Sequence, residues 1–134
     1  MEEKVKEKIA RLIAKADRKL KVARDLYEDK SYEDSISRAY YAMFQAATAL
    51  LLTRDIVCCT HSGLLKMFSL YFIKTGQVDK RYFDMLSEAK DLRENGDYEP
   101  FFVGVSEDAE SAIENAMEFI EKVKQVLKEG GDLR

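Results

Sequence analysis

The chain has 134 residues and a formal net charge of −3; 46% of its residues are hydrophobic, 35% are charged, and proline occurs once. This composition excludes a disordered chain, a collagen-like repeat and most β-sandwiches, whose turns need many glycines and prolines. No apolar run approaches the roughly 18–20 residues that span a bilayer, and the charged start Met1-Glu2-Glu3-Lys4 is unlike a secretory signal, so we expect one cytoplasmic domain without membrane contact.

Two long helices begin the predicted fold. Apolar residues recur at steps of three and four over about 3–29, which predicts the first helix. Ser31, with Asp34 three positions on, is typical of a helix N-cap close to a capping box, and it predicts a second helix that reaches about Thr53. This second helix is apolar over more than one face, as central helices and subunit interfaces are. We expect both, and hence a homodimer.

Three further helices follow. The third is predicted from Thr60 or His61 to Gly76, the fourth from its cap Asp79 to about Gly96, and the last from Ser106 to Gly130-Gly131. Residues 97–105 contain the only proline and are predicted to be irregular. The pattern as a whole predicts an all-α, up-and-down bundle of about five helices, with Phe44 and Phe68 in its core.

Basic and acidic side chains are unevenly distributed along the chain. Residues 1–24 hold nine basic against four acidic side chains, whereas residues 83–121 hold twelve acidic against two basic ones. The basic stretch could form a nucleic-acid face. It could also pair with an acidic last helix inside the domain, where the charges serve solubility and register. Both interpretations stay open.

The two cysteines, Cys58 and Cys59, are adjacent. Neighbouring cysteines rarely bond each other, because the ring that they would close is strained. No further cysteine or histidine cluster with zinc-ligand spacing accompanies them, so we expect neither a metal nor a cofactor. We interpret both as small, half-buried hydrophobic residues in a reducing compartment.

Arg54 and His61, the only histidine, are the best candidates for a site of chemistry. Arg54 closes the second predicted helix and His61 opens the third, so a short loop should hold both side chains at one end of the bundle. The helix dipole disfavours an imidazolium there, which leaves His61 neutral and available as a base. The N–H groups of Ser62, Gly63 and Leu64 can bind a phosphate oxygen, and Arg54 can hold a phosphate through two hydrogen bonds.

These groups suit the cleavage of RNA by its own 2′-hydroxyl. That reaction needs a base, an acid and charge stabilisation, but no metal. An Arg and a His repeated in a dimer could supply all three. The spacing alone is also compatible with two polar residues at helix ends that have no catalytic role.

Five segments, in order, carry a resemblance to a known family. They are Ser37-Arg38-Ala39-Tyr40-Tyr41-Ala42-Met43-Phe44, Ala49-Leu50-Leu51-Leu52, Thr60-His61-Ser62-Gly63, Phe72-Ile73-Lys74-Thr75-Gly76, and Leu92-Arg93 with Asp97-Tyr98. Over about residues 5–128 the chain resembles the HEPN domain (higher eukaryotes and prokaryotes nucleotide-binding), in particular its small stand-alone prokaryotic members. The resemblance implies a single domain over 1–134, with residues 129–134 as a C-terminal tail.

The resemblance also implies a dimer and, in many members, a metal-independent endoribonuclease whose motif is an Arg, four to six residues, then a His. Arg54 and His61 match this motif at its longest spacing and would be the catalytic residues, facing a cleft between two copies. Asp55, a small polar residue directly after the Arg, would orient Arg54 or shape the cleft. The residues that support this catalytic pair would be Asp55, Ser62 and Gly63. Three residues in the recurring segments have no assigned role: Arg38, Tyr41 and Arg93.

Two functions therefore stay open. The resemblance implies, first, a partner of a minimal nucleotidyltransferase in a toxin–antitoxin pair, in which the HEPN protein is the ribonuclease. It is also compatible with a second function, that of a non-catalytic module that binds a nucleotide or a nucleotidyltransferase partner. The matched Arg–His pair favours the first function, whereas the acidic total charge and the apolar loop from Ile56 to Cys59 favour the second. Neither involves sequence-specific reading of DNA.

Overall fold

Five α-helices form within the residues that the computed structural model describes, which are 2–58, 60–98 and 106–133. They are α1 (Glu3–Glu28), α2 (Tyr32–Leu52), α3 (His61–Phe68), α4 (Lys80–Tyr98) and α5 (Ser106–Glu129), and a π-helical turn at Ser69–Ile73 continues α3. The predicted all-α bundle is confirmed. Cys59 and most of the predicted irregular segment, residues 99–105, lie outside the described residues.

The second helix lies in the middle of the bundle, because α1, α3, α4 and α5 all contact it. Small side chains dominate its buried positions, and they let neighbouring helices approach closely; the alanines among them are 39, 42, 46, 47 and 49. The buried hydroxyl of Ser35 donates a 2.7 Å hydrogen bond to the carbonyl of Ala23 and ties α2 to α1. The central position accounts for the apolar surface of α2 within one chain, and the homodimer stays a prediction.

Of the two N-caps predicted from the sequence, Ser31 and Asp79, only Asp79 makes a side-chain capping bond, and Thr60 caps α3 in addition. The Thr60 hydroxyl accepts from the N–H of Gly63 at 2.9 Å, and the Asp79 carboxylate accepts from the N–H of Arg81 at 2.9 Å. Ser31 precedes α2 as expected, but its side chain makes no capping bond, so the predicted capping box is wrong. The backbone explains the difference, because Ser31 has ψ 69° whereas Thr60 is fully extended with ψ 155°.

The connection between α2 and α3 departs from a simple up-and-down path. His61, at the start of α3, contacts Tyr40 in the first half of α2, whereas Phe72, in the π-helical turn, lies under Arg54 beyond the end of α2. The start of α3 therefore lies back along α2 from Thr53, and α3 points in the same direction as α2. This displacement is about 18 Å, which is the twelve-residue distance from Tyr40 to Leu52 at about 1.5 Å per residue.

Aromatic rings from α3, the π-helical turn and α5 pack together in the core. Phe68 is 1% exposed, and its ring centroid lies 5.6 Å from that of Phe119 and 6.2 Å from that of Phe72. The prediction that Phe68 is a core residue is confirmed. The same prediction for Phe44 is wrong, because its ring is only half-buried and lies against His61 instead. None of the described helices is long and apolar enough to cross a membrane.

Truncating the Phe68 ring tests this packing. We expect Phe68→Ala to lower the free energy of unfolding by about 3–5 kcal/mol, because it leaves a cavity between α3 and α5. Tyr71→Ala is the matched control, since its ring is 37% exposed on the same stretch of chain. Denaturant unfolding followed by circular dichroism measures both, and equal losses in the two variants would contradict the packing described.

Candidate functional site

The imidazole of His61 lies in an aromatic cluster on one side of α2. Its ring centroid is 4.8 Å from that of Phe44, 5.5 Å from that of Tyr40 and 6.0 Å from that of Tyr41. The rings of Tyr40 and His61 are stacked at an interplanar angle of 26°. We call these four residues, together with Arg93, the His61 cluster. His61 itself is half-buried, so one side of the ring is covered and the other can be reached from solvent.

A hydrogen bond from Tyr40 fixes the orientation of the His61 ring. The Tyr40 hydroxyl lies 2.5 Å from Nδ1 of His61. Tyr40 is 1% exposed, and this burial raises the pKa of its phenol, so the hydroxyl keeps its proton. It can donate to a bare Nδ1 or accept from an Nδ1–H, depending on the tautomer. In either case Nδ1 is occupied, and Nε2 is the ring nitrogen left for a ligand.

Arg93 brings a positive charge from α4 to the same cluster. Its guanidinium carbon lies 5.0 Å from the ring centroid of Tyr41 and 5.9 Å from that of Tyr40. Such a position over two electron-rich rings is a cation–π arrangement, which holds the guanidinium near His61. The sequence comparison with the family singled out Arg93 and Tyr41 without a role, and the structure places both beside His61.

The environment of His61 favours its neutral form. Burial is the largest cause that lowers the pKa of His61, followed by the positive charges of Arg93 and Lys90, while the carboxylate of Glu94 opposes them. Lys90 pairs with Glu94 at 2.8 Å, which weakens that opposing charge. These causes favour the uncharged imidazole that the sequence predicted, but they are burial and neighbouring charge rather than the helix dipole on which that prediction rested.

Arg54 lies at a different place on the bundle. Its guanidinium donates to the side-chain oxygen of Gln77 at 2.9 Å and lies 5.2 Å from the ring centroid of Phe72. Among the described contacts, none joins Arg54 to His61. The expectation that a short loop holds both side chains at one end of the bundle is wrong, because α3 begins back along α2 and His61 therefore lies about 18 Å from the end of that helix.

Asp55 has a backbone role. Its φ of 57° is left-handed, a conformation that asparagine and aspartate tolerate better than most residues. This turn lets the N–H of Ile56 donate to the carbonyl of Leu51 at 3.1 Å, which closes the end of α2. Asp55 thus starts the connection to α3, and no described contact links its carboxylate to Arg54.

The first turn of α3 offers fewer N–H groups than expected. The N–H of Gly63 donates to the Thr60 hydroxyl at 2.9 Å, and that of Leu64 donates to the Thr60 carbonyl at 3.0 Å. The predicted phosphate site on these two N–H groups is therefore wrong. Gly63 has a packing role, because a Cβ at this position would lie 2.7 Å from the Thr60 hydroxyl oxygen. Ser62 is exposed beside His61.

Similarity to known proteins agrees with this fold. The sequence profile of the HEPN domain matches residues 9–126. Two proteins of Methanocaldococcus jannaschii, named "Putative toxin MJ0605" and "Putative toxin MJ0142", are 39% and 38% identical to the chain, over 93% and 95% of it and over 92% and 86% of their own lengths. A "UPF0332 protein" of Archaeoglobus fulgidus is 35% identical over 86% of the chain and 91% of its own length.

The molecule is thus an all-α bundle whose most distinctive site is centred on a single histidine. The chain belongs to the HEPN domain family.

Because His61 is the only histidine, the ionisation of the cluster can be measured directly. We expect its Hε1 proton resonance to titrate with a midpoint below the ordinary value of 6.5, because burial and Arg93 lower its pKa. Arg93→Gln removes one positive charge and should raise the midpoint. Lys66→Gln removes an equal charge from an exposed position on α3 and should leave it unchanged. A wild-type midpoint at or above 6.5, or equal midpoints in the two variants, would contradict the electrostatics described.

Proposed function

We propose that the protein is a metal-independent endoribonuclease in which His61 moves the protons of the reaction. The observation that carries this proposal is a half-buried imidazole whose Nδ1 is held by Tyr40 and whose Nε2 is left for substrate, among groups that lower its pKa and so favour the neutral base. Arg93 adds positive charge to the same cluster, where a phosphate would bind.

In the reaction, Nε2 of His61 takes the proton of a ribose 2′-hydroxyl. The 2′-oxygen attacks the adjacent phosphorus, the bond from phosphorus to the 5′-oxygen breaks, and a 2′,3′-cyclic phosphate forms. The departing 5′-oxygen takes a proton from the imidazolium that the first proton transfer leaves on His61. Throughout, the Tyr40 oxygen can accept from Nδ1–H, because the base form and the imidazolium both carry a proton there.

A second copy of the chain also gives Arg54 a role. In one chain its side chain contacts Gln77 and Phe72, away from the His61 cluster. A homodimer could bring Arg54 of one copy to His61 of the other, where it would hold the phosphate and stabilise the transition-state charge. Large apolar side chains are exposed near this part of the chain, which suits an interface; they are Val57 at 77%, Leu70 at 44% and Tyr71 at 37% exposure.

The names of the two Methanocaldococcus jannaschii relatives contain the word toxin. We propose that this chain acts as a toxin by cutting RNA, and that a minimal nucleotidyltransferase is its antitoxin partner. A second candidate is a non-catalytic module that binds a nucleotide or that partner. The half-buried rings of Tyr41 and Phe44, with the guanidinium of Arg93 over Tyr41, favour this candidate, because a nucleotide base can stack on such rings while its phosphate pairs with Arg93.

Cleavage of a mixed RNA pool in EDTA separates the two candidates. We expect the wild type to cut and to leave 2′,3′-cyclic phosphate ends, and His61→Ala to lose activity by about 10²–10⁴-fold, because it removes the general acid and base. Lys66→Gln, on an exposed position of the same helix, should cut like the wild type.

Equal cleavage by the wild type and His61→Ala would contradict the proposal and indicate a contaminating nuclease. Absence of cleavage in all three proteins, together with a thermal shift on adding nucleotide, would favour the binding module instead.

A further inference from the structure

One face of α1 carries a row of exposed basic side chains. Residues at steps of three and four share a face of a helix, and four of the exposed basic residues at such steps line the same depression: Lys8, Arg11, Lys15 and Arg18. We call them the α1 stripe. It extends over about 15 Å of the helix axis, at about 1.5 Å per residue. A shallow depression of about 430 Å³ lies along it, lined also by Leu12 and Ala14.

The acidic last helix does not neutralise this stripe. In the described part of the chain, the ion pair between α1 and α5 has its basic residue on α5 and its acidic residue on α1: Lys124 pairs with Asp17 at 3.0 Å. Among the described contacts of the stripe residues, Arg11 makes an ion pair with Glu7 at 2.7 Å, and both side chains are largely exposed. Such an exposed ion pair contributes little to the free energy of folding, so it does not prevent Arg11 from binding a phosphate instead. The interpretation in which α5 balances the basic first helix is therefore not supported.

The stripe is continuous with the His61 cluster. Lys19 follows Arg18 on α1, and its ammonium lies 5.9 Å from the ring centroid of Tyr41, which contacts His61 from the same side. After burial, the positive charges of Arg38, Lys15 and Arg18 lower the pKa of Lys19, which indicates a concentrated positive field at this junction.

We propose that the α1 stripe binds the phosphate backbone of single-stranded RNA and leads it past Lys19 and Tyr41 to His61. This inference rests on the proposed ribonuclease function and names the path of its substrate. A row of solvated cations gains affinity by releasing the counterions of a polyanion, so the acidic total charge of the chain does not prevent it. The Tyr41 ring, at the end of the row, offers a face on which a base can stack.

Salt-dependent binding of a short fluorescein-labelled oligouridylate, followed by anisotropy, tests this path. All proteins carry His61→Ala so that the RNA stays intact. Lys15→Gln with Arg18→Gln removes two stripe charges. The matched control is Lys66→Gln with Lys74→Gln, which removes equal charge from two exposed positions outside α1. Circular dichroism verifies that each variant is folded.

We expect the stripe variant to bind more weakly at low salt. Its plot of log affinity against log salt should be shallower by about 1.4, which corresponds to two phosphate contacts at about 0.7 each for single strands. The control should keep the slope of the parent. Equal affinities and slopes in the stripe variant and the control overturn the inference, because binding would then depend on total charge alone.

The two proposals can fail separately. If the wild type never cuts RNA but the stripe variant loses RNA affinity selectively, the stripe inference stands and the ribonuclease proposal falls. If cleavage depends on His61 but the stripe variant binds like the parent, the ribonuclease proposal stands and the stripe inference falls. Loss of a co-expressed nucleotidyltransferase from the stripe variant, with RNA affinity unchanged, would make the stripe a protein-docking surface and would also overturn the inference.

Discussion

The position of the start of α3, back along α2, is the constraint on which the candidate site depends. Asp55 turns the chain at the end of α2 with a left-handed backbone conformation, and Thr60 caps the first turn of α3. Because α3 begins about 18 Å back from the end of α2, His61 reaches the hydroxyl of Tyr40 instead of staying near that end. An imidazole left near the end of α2 would lack this hydrogen-bond partner.

Burial and the neighbouring positive charges both lower the pKa of His61. The aromatic rings around it remove water, and the guanidinium of Arg93 disfavours a second positive charge. At the same time the cations of α1 and α4 surround a site on a protein whose net charge is −3. Exposed charges interact over about 8–10 Å at ordinary salt. The local arrangement of charges, rather than the net charge of the protein, therefore decides which ligands such a surface attracts.

Much of the fold follows from the sequence. Apolar residues at steps of three and four located all five helices, and Asp79 acts as the predicted cap of α4. The predicted burial of Phe44 and the predicted proximity of Arg54 and His61 were wrong. Both depend on where α3 begins relative to α2, and helical periodicity carries no information about that placement.

The chemistry of the site was predictable only in part. His61 could be selected because the chain has one histidine, and its neutral form was expected from the helix dipole. Tyr40 could not be selected, since a tyrosine within an apolar helix face fits a core position equally well. Its hydroxyl gains a role only when the fold places His61 within 2.5 Å of it. Likewise, Arg93 lies far from His61 in sequence and joins it through α4.

In the proposed site two copies act together, with Arg54 of one acting on RNA held by His61 of the other. Mixing the inactive variants Arg54→Ala and His61→Ala tests it most directly, with RNA cleavage in EDTA as the measurement. Random pairing in a two-fold dimer restores an intact Arg54 and His61 in about a quarter of the sites, so the mixture should regain activity that neither variant has alone. A mixture that stays inactive, or an Arg54→Ala protein that cuts RNA like the wild type, would contradict the account.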